Sequence, residues 1–178
     1  MLSAIPEALQ RVDKMFRLAQ EIQDDLWEVE ALYDLTFAPG REALSSYRLR
    51  EGVKPVPELC LAARDKYDVL AGVIRYWPVL IGQGRAKTLL LGPIAVHPTR
   101  QGEGLGGLLM RESLALAKSG GWGRVLLVGD APYYQRFGFE KNPNLDFPPP
   151  VNPDRLLTLE LAKGAFDGVS GPVGKAKN

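Results

Sequence analysis

The stretch Leu89-Leu90-Leu91-Gly92-Pro93-Ile94-Ala95-Val96-His97-Pro98-Thr99-Arg100-Gln101-Gly102-Glu103-Gly104-Leu105-Gly106-Gly107-Leu108-Leu109-Met110 reads as strand, turn and helix. The turn carries Gly102, Gly104, Gly106 and Gly107 at the point where the helix begins. Glycine lets main-chain N–H groups approach a ligand closely. A helix N-terminus adds unpaired donors and a partial positive charge. Together they make an anion site suited to a pyrophosphate. No Gly-Lys pair followed by Ser or Thr is present here, so the turn is not a nucleotide P-loop.

Upstream, Val69 to Trp77 and residues 86–96 are apolar and partly β-branched, and Gly82 and Gly84 mark a turn between them. Leu59 to Ala63 precedes them across Asp65-Lys66-Tyr67-Asp68. Successive strands with short turns predict an antiparallel meander. Pro93 lacks an N–H, so it predicts a bulge in the third strand. Nearer the N-terminus, Met15 to Ala19 forms a short strand. Leu26, Val29, Leu32, Tyr33 and Phe37 have helical spacing over 25–37. Pro39-Gly40 ends that helix, and a second follows over 40–50.

Downstream, Leu105, Leu108, Leu109, Leu114 and Leu116 fit one helix from Gly104 to Ser119, stopped by Gly120-Gly121. Val125 to Val128 is a short buried strand. Pro132 opens a short helix that Gly138 ends. Pro148-Pro149-Pro150 is a stiff loop, and Leu156 to Leu161 alternates as a last strand. The ends, 1–14 and 168–178, read as flexible flanks of one domain spanning 1–178.

The 178 residues suit one domain with a full core. Lys and Arg total 22 against 21 Asp and Glu, a net charge of +1, which gives no reason to expect nucleic acid or an anionic membrane as partner. A single Cys, Cys60, excludes an intrachain disulfide, and with a single His it leaves no metal cage to expect. Cys60 lies in an apolar run and reads as a small buried hydrophobe. The N-terminus has no long apolar segment of a signal peptide, so a cytoplasmic location is expected.

Two pyrophosphate readings compete. Gly102-x-Gly104-x-x-Gly107 satisfies the dinucleotide fingerprint, with Asp130 at the end of the next strand as a candidate ribose ligand for NAD(P). Against it, a polar loop, His97 to Gln101, separates strand from glycines. Asp130 lies 28 positions after Gly102 rather than roughly 20. The antiparallel strands upstream also conflict with a doubly wound sheet.

The second reading accounts for more. Gln101-Gly102-Glu103-Gly104-Leu105-Gly106 has the form Q/R-x-x-G-x-G/A after an apolar strand, and Tyr133-Tyr134-Gln135-Arg136-Phe137-Gly138-Phe139 contains Y-x-x-x-G-F. In this order the two motifs resemble those of the GCN5-related N-acetyltransferase (GNAT) superfamily. Gly129-Asp130-Ala131-Pro132-Tyr133-Tyr134, with Leu159-Glu160-Leu161 and Gly164-Ala165-Phe166, is similar to its YhbS-type branch.

The resemblance covers roughly residues 15–172. It implies an α/β (α+β) acyl-CoA N-acyltransferase fold: a mainly antiparallel mixed sheet flanked by helices, with splayed central strands. It implies acetyl-CoA as donor, its pantetheine arm along Ile94, Ala95 and Val96. Its pyrophosphate would lie on the main-chain N–H groups of Gln101, Gly102, Glu103, Gly104, Leu105, Gly106 and Gly107. Tyr134 matches the position of the general acid, and Tyr133 reads as packing. The acceptor is an amine on a small molecule or peptide, attacked directly in a ternary complex, in a pocket near Phe37, Tyr47 and Arg48. A homodimer is compatible with the resemblance. Leu89-Leu90-Leu91 departs from relatives that carry a catalytic Glu on this strand, which keeps a catalytically weak acyl-CoA-binding module as an alternative. Glu28 and Asp34 read as solvated, His97 as a cap and Asp130 as a helix cap.

Overall fold

A computed structural model describes residues 15–37 and 40–177. In chain order its elements are β1 (Arg17–Gln20), α1 (Leu26–Thr36), α2 (Ser45–Arg48), β2 (Leu61–Arg64), β3 (Leu70–Ile81), β4 (Ala86–Val96), α3 (Leu105–Ser119), β5 (Arg124–Val128), α4 (Ala131–Tyr134), β6 (Glu140–Lys141), β7 (Leu145–Asp146), β8 (Leu156–Glu160) and β9 (Gly171–Lys175).

The long apolar runs pair as their composition predicts. β3 and β4 form an antiparallel hairpin running from Gly72↔Val96 to Ile81↔Ala86. β1 and β2 extend the sheet beyond β3, also antiparallel. On the other side β4 meets β5 in parallel, and β8 and β6 follow antiparallel. The order is β1-β2-β3-β4-β5-β8-β6. Among the described residues only β4–β5 and the short β7–β9 pair run parallel. The mainly antiparallel sheet removes the basis for a doubly wound dinucleotide fold.

Strand alternation divides the core into two layers. Leu89 and Leu91 join Ile74, Tyr76 and Leu127 under the apolar stripe Leu105, Leu108, Leu109 of α3. Burying each of those leucines contributes roughly 2 kcal/mol. Opposite faces serve α1, whose Val29, Leu32 and Tyr33 pack on Ala62, Leu70, Val73 and Ala95. Farther along, Leu90, Trp77 and Leu126 are covered by Leu49, Phe147 and Val173.

Three expectations are corrected. The chain after Gly168 does not fray: β9 pairs with the end of β3 (Leu80↔Gly174) and buries Val173 to 4% exposure. Its two glycines and a proline hide a strand held by neighbours rather than by propensity. The helix expected over 40–50 is broken into a 3-10 turn, Arg41–Ala43, and the four-residue α2. The first strand is shifted to Arg17–Gln20. The other flank, residues 1–14, and Pro39 lie outside the described residues.

Candidate active site

At Pro93 the central ladder is interrupted as expected. Ile74 pairs with Ile94 and Tyr76 with Leu91, so Gly92 and Pro93 oppose the single residue Arg75. Gly92 has φ +110°, a left-handed backbone that a side chain would strain. Buried Tyr33 on α1 donates its hydroxyl to the Pro93 carbonyl at 2.9 Å, fixing the bulge from the opposite layer.

Beyond this bulge the parallel strands part. β4 and β5 pair only at Leu89↔Val125 and Leu90↔Leu126. Ile94, Ala95 and Val96 pair with β3 along one edge and, among the described residues, have no strand on the other. The gap opens into a cleft of about 270 Å³ whose lining includes Leu91, Gly92, Pro93 and Ile94 from β4, Leu127 and Val128 at the end of β5 with Gly129 and Asp130 beyond it, and Tyr133 and Tyr134.

At the far end of that free edge stands the glycine turn. A 3-10 turn, Pro98–Arg100, starts after His97, whose Nδ1 accepts from the Thr99 N–H and so acts as the expected cap. Gly104 is the N-cap of α3, with no side-chain cap bond. From Gln101 to Gly107 no main-chain N–H is engaged by a carbonyl or side chain among the described residues. Glu103 turns its carboxylate to Arg100 at 2.8 Å, and Arg100 also reaches Asp65, so the turn is tied from outside while its amides stay free. The bare Cα of Gly106 leaves room for the Tyr133 side chain: a Cβ there would stand 2.8 Å from its hydroxyl, which would have to shift.

Tyr134 packs its ring against Gly129, where no Cβ fits, and edge-on to Tyr133 and Phe139, with centroids 4.9 and 6.0 Å away. Burial pushes its phenol up to about 12, and Tyr133 and Asp130 add to the push. The hydroxyl therefore holds its proton across the physiological range. Asp130 sits at the N-cap of α4 but makes no side-chain cap bond; its carboxylate faces Arg155 at 3.4 Å. The capping expectation is thus met in position and not in bonding. Cys60 is buried, its thiol pushed up to about 11 by that burial, which makes it an inert filler.

The third wall comes from the broken segment after α1. Phe37 and Tyr47 line the cleft as expected. Arg48 does not: it points outward to the Pro149 carbonyl, because the chain here makes short turns rather than one helix. Arg41 and Arg50 occupy the wall instead. Arg41 bonds Glu30, Asp34 and the Tyr47 hydroxyl. Glu30 also bonds Arg75, which bonds Glu21. Glu28 is engaged by Arg64, so neither it nor Asp34 is a free base. Sequence reasoning missed Arg41 and Arg50; their one visible signal is the density of arginines over 41–50.

Comparison with known proteins agrees with this geometry. Residues 57–141 match the family model described as the acetyltransferase (GNAT) domain. The uncharacterized N-acetyltransferase YhbS of Escherichia coli K12 is 30% identical over 155 residues, covering 86% of this chain and 92% of the relative. The crystal structure of E. coli YhbS in complex with CoA superposes with a TM-score of 0.79 at 28% identity, over 91% of this chain and 90% of that one. A GNAT family acetyltransferase from Brucella melitensis in complex with acetyl-CoA gives 0.68 at 28% identity, over 92% and 97%. With the YhbS relative matched over most of both chains, and with the splayed β4–β5 pair running from the tyrosine motif in the cleft to the glycine turn, the chain belongs to the GNAT family of N-acetyltransferases.

Proposed function

We propose that this enzyme binds acetyl-CoA in the gap between β4 and β5 and passes the acetyl group directly to a primary amine of a small-molecule or peptide acceptor. The observation that carries the reading is the unpaired edge of Ile94, Ala95 and Val96, which runs from the Tyr134 cleft to the free amides of Gln101 to Gly107. The edge offers main-chain groups to an extended amide-containing arm, as an added strand would. The turn offers seven N–H groups and a helix N-terminus to a pyrophosphate. The relatives with CoA and acetyl-CoA bound support the same assignment here.

The thioester is already activated, so the chain's work is to place the amine and manage two protons. Tyr134, protonated by its burial, holds the proton that the departing sulfur takes. Cys60 is not part of the cleft lining, and Ser46, the serine that is, has no histidine or carboxylate bonded to it among the described residues. This supports direct transfer within a ternary complex. Among the described residues lining the cleft Asp130 is the one carboxylate, and it faces Arg155. The amine therefore enters as its neutral form or gives its proton to water.

The test is an acetyl-CoA turnover screen over amines, aminoglycosides, polyamines and peptide N-termini, with thermal shift as a binding check. Acetyl-CoA is expected to raise Tm, NAD(P) is not, and at least one amine class should release free thiol. Stabilisation by NAD(P) but not by acetyl-CoA would overturn the reading.

A further inference from the structure

The acceptor wall of the cleft is not electrically balanced. Arg41 is matched by Glu30 and Asp34, Arg75 by Glu21 and Glu30, and Arg155 by Asp130. Arg50 has no carboxylate partner among the described residues. Its Nε and Nη1 are buried and make no hydrogen bond. The guanidinium is held between two aromatic faces, 4.2 Å from the Tyr47 ring centroid and 4.9 Å from that of Trp77. Its Nη2 lies 3.9 Å from the point where a Cβ on Gly92 would stand. Gly92, Tyr47 and Arg50 all line the cleft.

A buried guanidinium with two idle nitrogens is costly unless something completes it. The cost registers here as a guanidinium pushed down to about 10 by burial, still charged at neutral pH. Stacking on Tyr47 and Trp77 fixes the plane of the fork and leaves the Nε and Nη1 groups without an acceptor. A planar fork of donors matches the paired oxygens of a carboxylate or phosphate. The pyrophosphate turn does not supply that anion. Val96 lies four positions beyond Gly92 on β4, about 13 Å at roughly 3.3 Å per residue, and the turn lies farther on.

We propose that the acceptor is an amine that also carries an anionic group, a carboxylate or a phosphate, and that Arg50 recognises it beside Gly92. This rests on the cleft being the acetyl-transfer site. The anion would fix one end of the acceptor on the Tyr47–Trp77 side, and the amine would reach past Pro93 toward Tyr134. Neutral and polycationic amines lack the group that completes Arg50.

Two measurements on the full chain test this. In the first, protein saturated with CoA, so that the glycine turn is filled, is titrated calorimetrically with inorganic phosphate and, separately, with acetate. At least one should bind. Arg50→Gln should weaken that binding about 10- to 100-fold, the size expected for losing charged hydrogen bonds, while Arg50→Lys retains part of it and CoA affinity stays unchanged in both. Phosphate binding without acetate binding would point to a phosphorylated amine, and the reverse to an amino acid or related carboxylate. In the second, kcat/KM is compared within matched pairs: O-phosphoethanolamine against ethanolamine, and β-alanine against β-alaninamide. The anionic member of one pair should lead by more than about 10-fold, and that ratio should collapse toward 1 in Arg50→Gln. Should the Gln variant fail to fold, the Lys variant gives the same comparison with its charge retained. Absence of Arg50-dependent anion binding, or ratios at or below 1 in the unaltered protein, overturns the proposal. If CoA itself fails to bind, the acetyl-transfer reading falls and the acceptor assignment with it, while the anion titration, repeated without CoA, still decides whether Arg50 holds an anion.

Discussion

The two walls of the cleft are built from different materials. The donor wall, β4 with the turn and α3, offers main-chain groups: a free strand edge at Ile94 to Val96 and unengaged amides from Gln101 to Gly107. Its charged cluster, Arg100 with Glu103 and Asp65, braces the turn from outside. The acceptor wall, the turns after α1, offers side chains: Arg41, tied through Glu30 and Asp34 of α1 to Arg75 and Glu21 behind it, with Arg50 left over. A wall made of backbone serves a ligand common to a family and needs only glycine and spacing. A wall made of side chains carries what is particular to this chain.

Substitutions at each wall should therefore fail in different ways. The largest effect is expected where the walls meet. Tyr134→Phe removes the proton donor and keeps the ring against Gly129, so kcat should fall by about 10²- to 10⁴-fold. Acetyl-CoA affinity should hardly change, and an unchanged kcat would refute the acid role. The raised phenol also has a pH signature. Its folded value of about 12 lies above the unfolded value near 10, so its contribution to stability is complete below pH ~10 and is lost as pH rises toward 12. Tyr134→Phe should be less sensitive to alkali over that window, measured as Tm against pH.

On the acceptor wall Arg75→Met should cost stability rather than donor binding. It strands Glu21, which is nearly buried, and frees Glu30, for a loss of about 3 kcal/mol by urea unfolding. Burial alone would raise the Glu30 carboxyl, but bonds from Arg41 and Arg75 outweigh it and hold it below the usual range. A lowered carboxylate contributes stability above its unfolded pKa and loses it as pH falls through the folded one. The variant should accordingly lose less on acidification than the unaltered chain. On the donor wall Gly106→Asp should do the reverse. A carboxylate among the free amides repels a pyrophosphate, and the acetyl-CoA KM should rise on the order of 100-fold. Equal effects on donor binding from the two substitutions would dissolve the distinction.

This difference in materials also explains what the sequence reveals. Residues 86–119 are read almost to the residue, because strand alternation, Pro93, the glycines and the leucine stripe of α3 are all local signals. The free edge of β4 follows from the family resemblance and not from any residue, since a gap between strands is a property of two segments. The acceptor wall resists reading for the same reason. Arg41, Glu30, Asp34, Arg75 and Glu21 come from four separate segments, and each alone looks like a solvated charge. Arg48 and Arg50 are two residues apart in a segment without helical continuity, so sequence periodicity cannot say which one faces inward. β9 was hidden for a third reason. Gly171-Pro172-Val173-Gly174 has poor strand propensity, and pairing with β3 and β7 overrides it.

The smallest expected effect tests the link between the walls. Tyr33 belongs to α1, yet its hydroxyl reaches through the sheet layer to the Pro93 carbonyl at the bulge that opens the donor strand. Tyr33→Phe keeps the ring in its buried place and leaves that carbonyl without its donor. The net cost of one such bond is about 1 kcal/mol, or a fall in Tm of roughly 2–4 °C for a chain of this size. If the bond also sets the shape of the bulge, KM for acetyl-CoA and for the amine should rise together by a few-fold, because Pro93 faces both. If only Tm moves, the bulge is fixed by Gly92 and the β3 register, and the two walls are independent. An unchanged Tm would mean that the bond contributes nothing to holding α1 against β4.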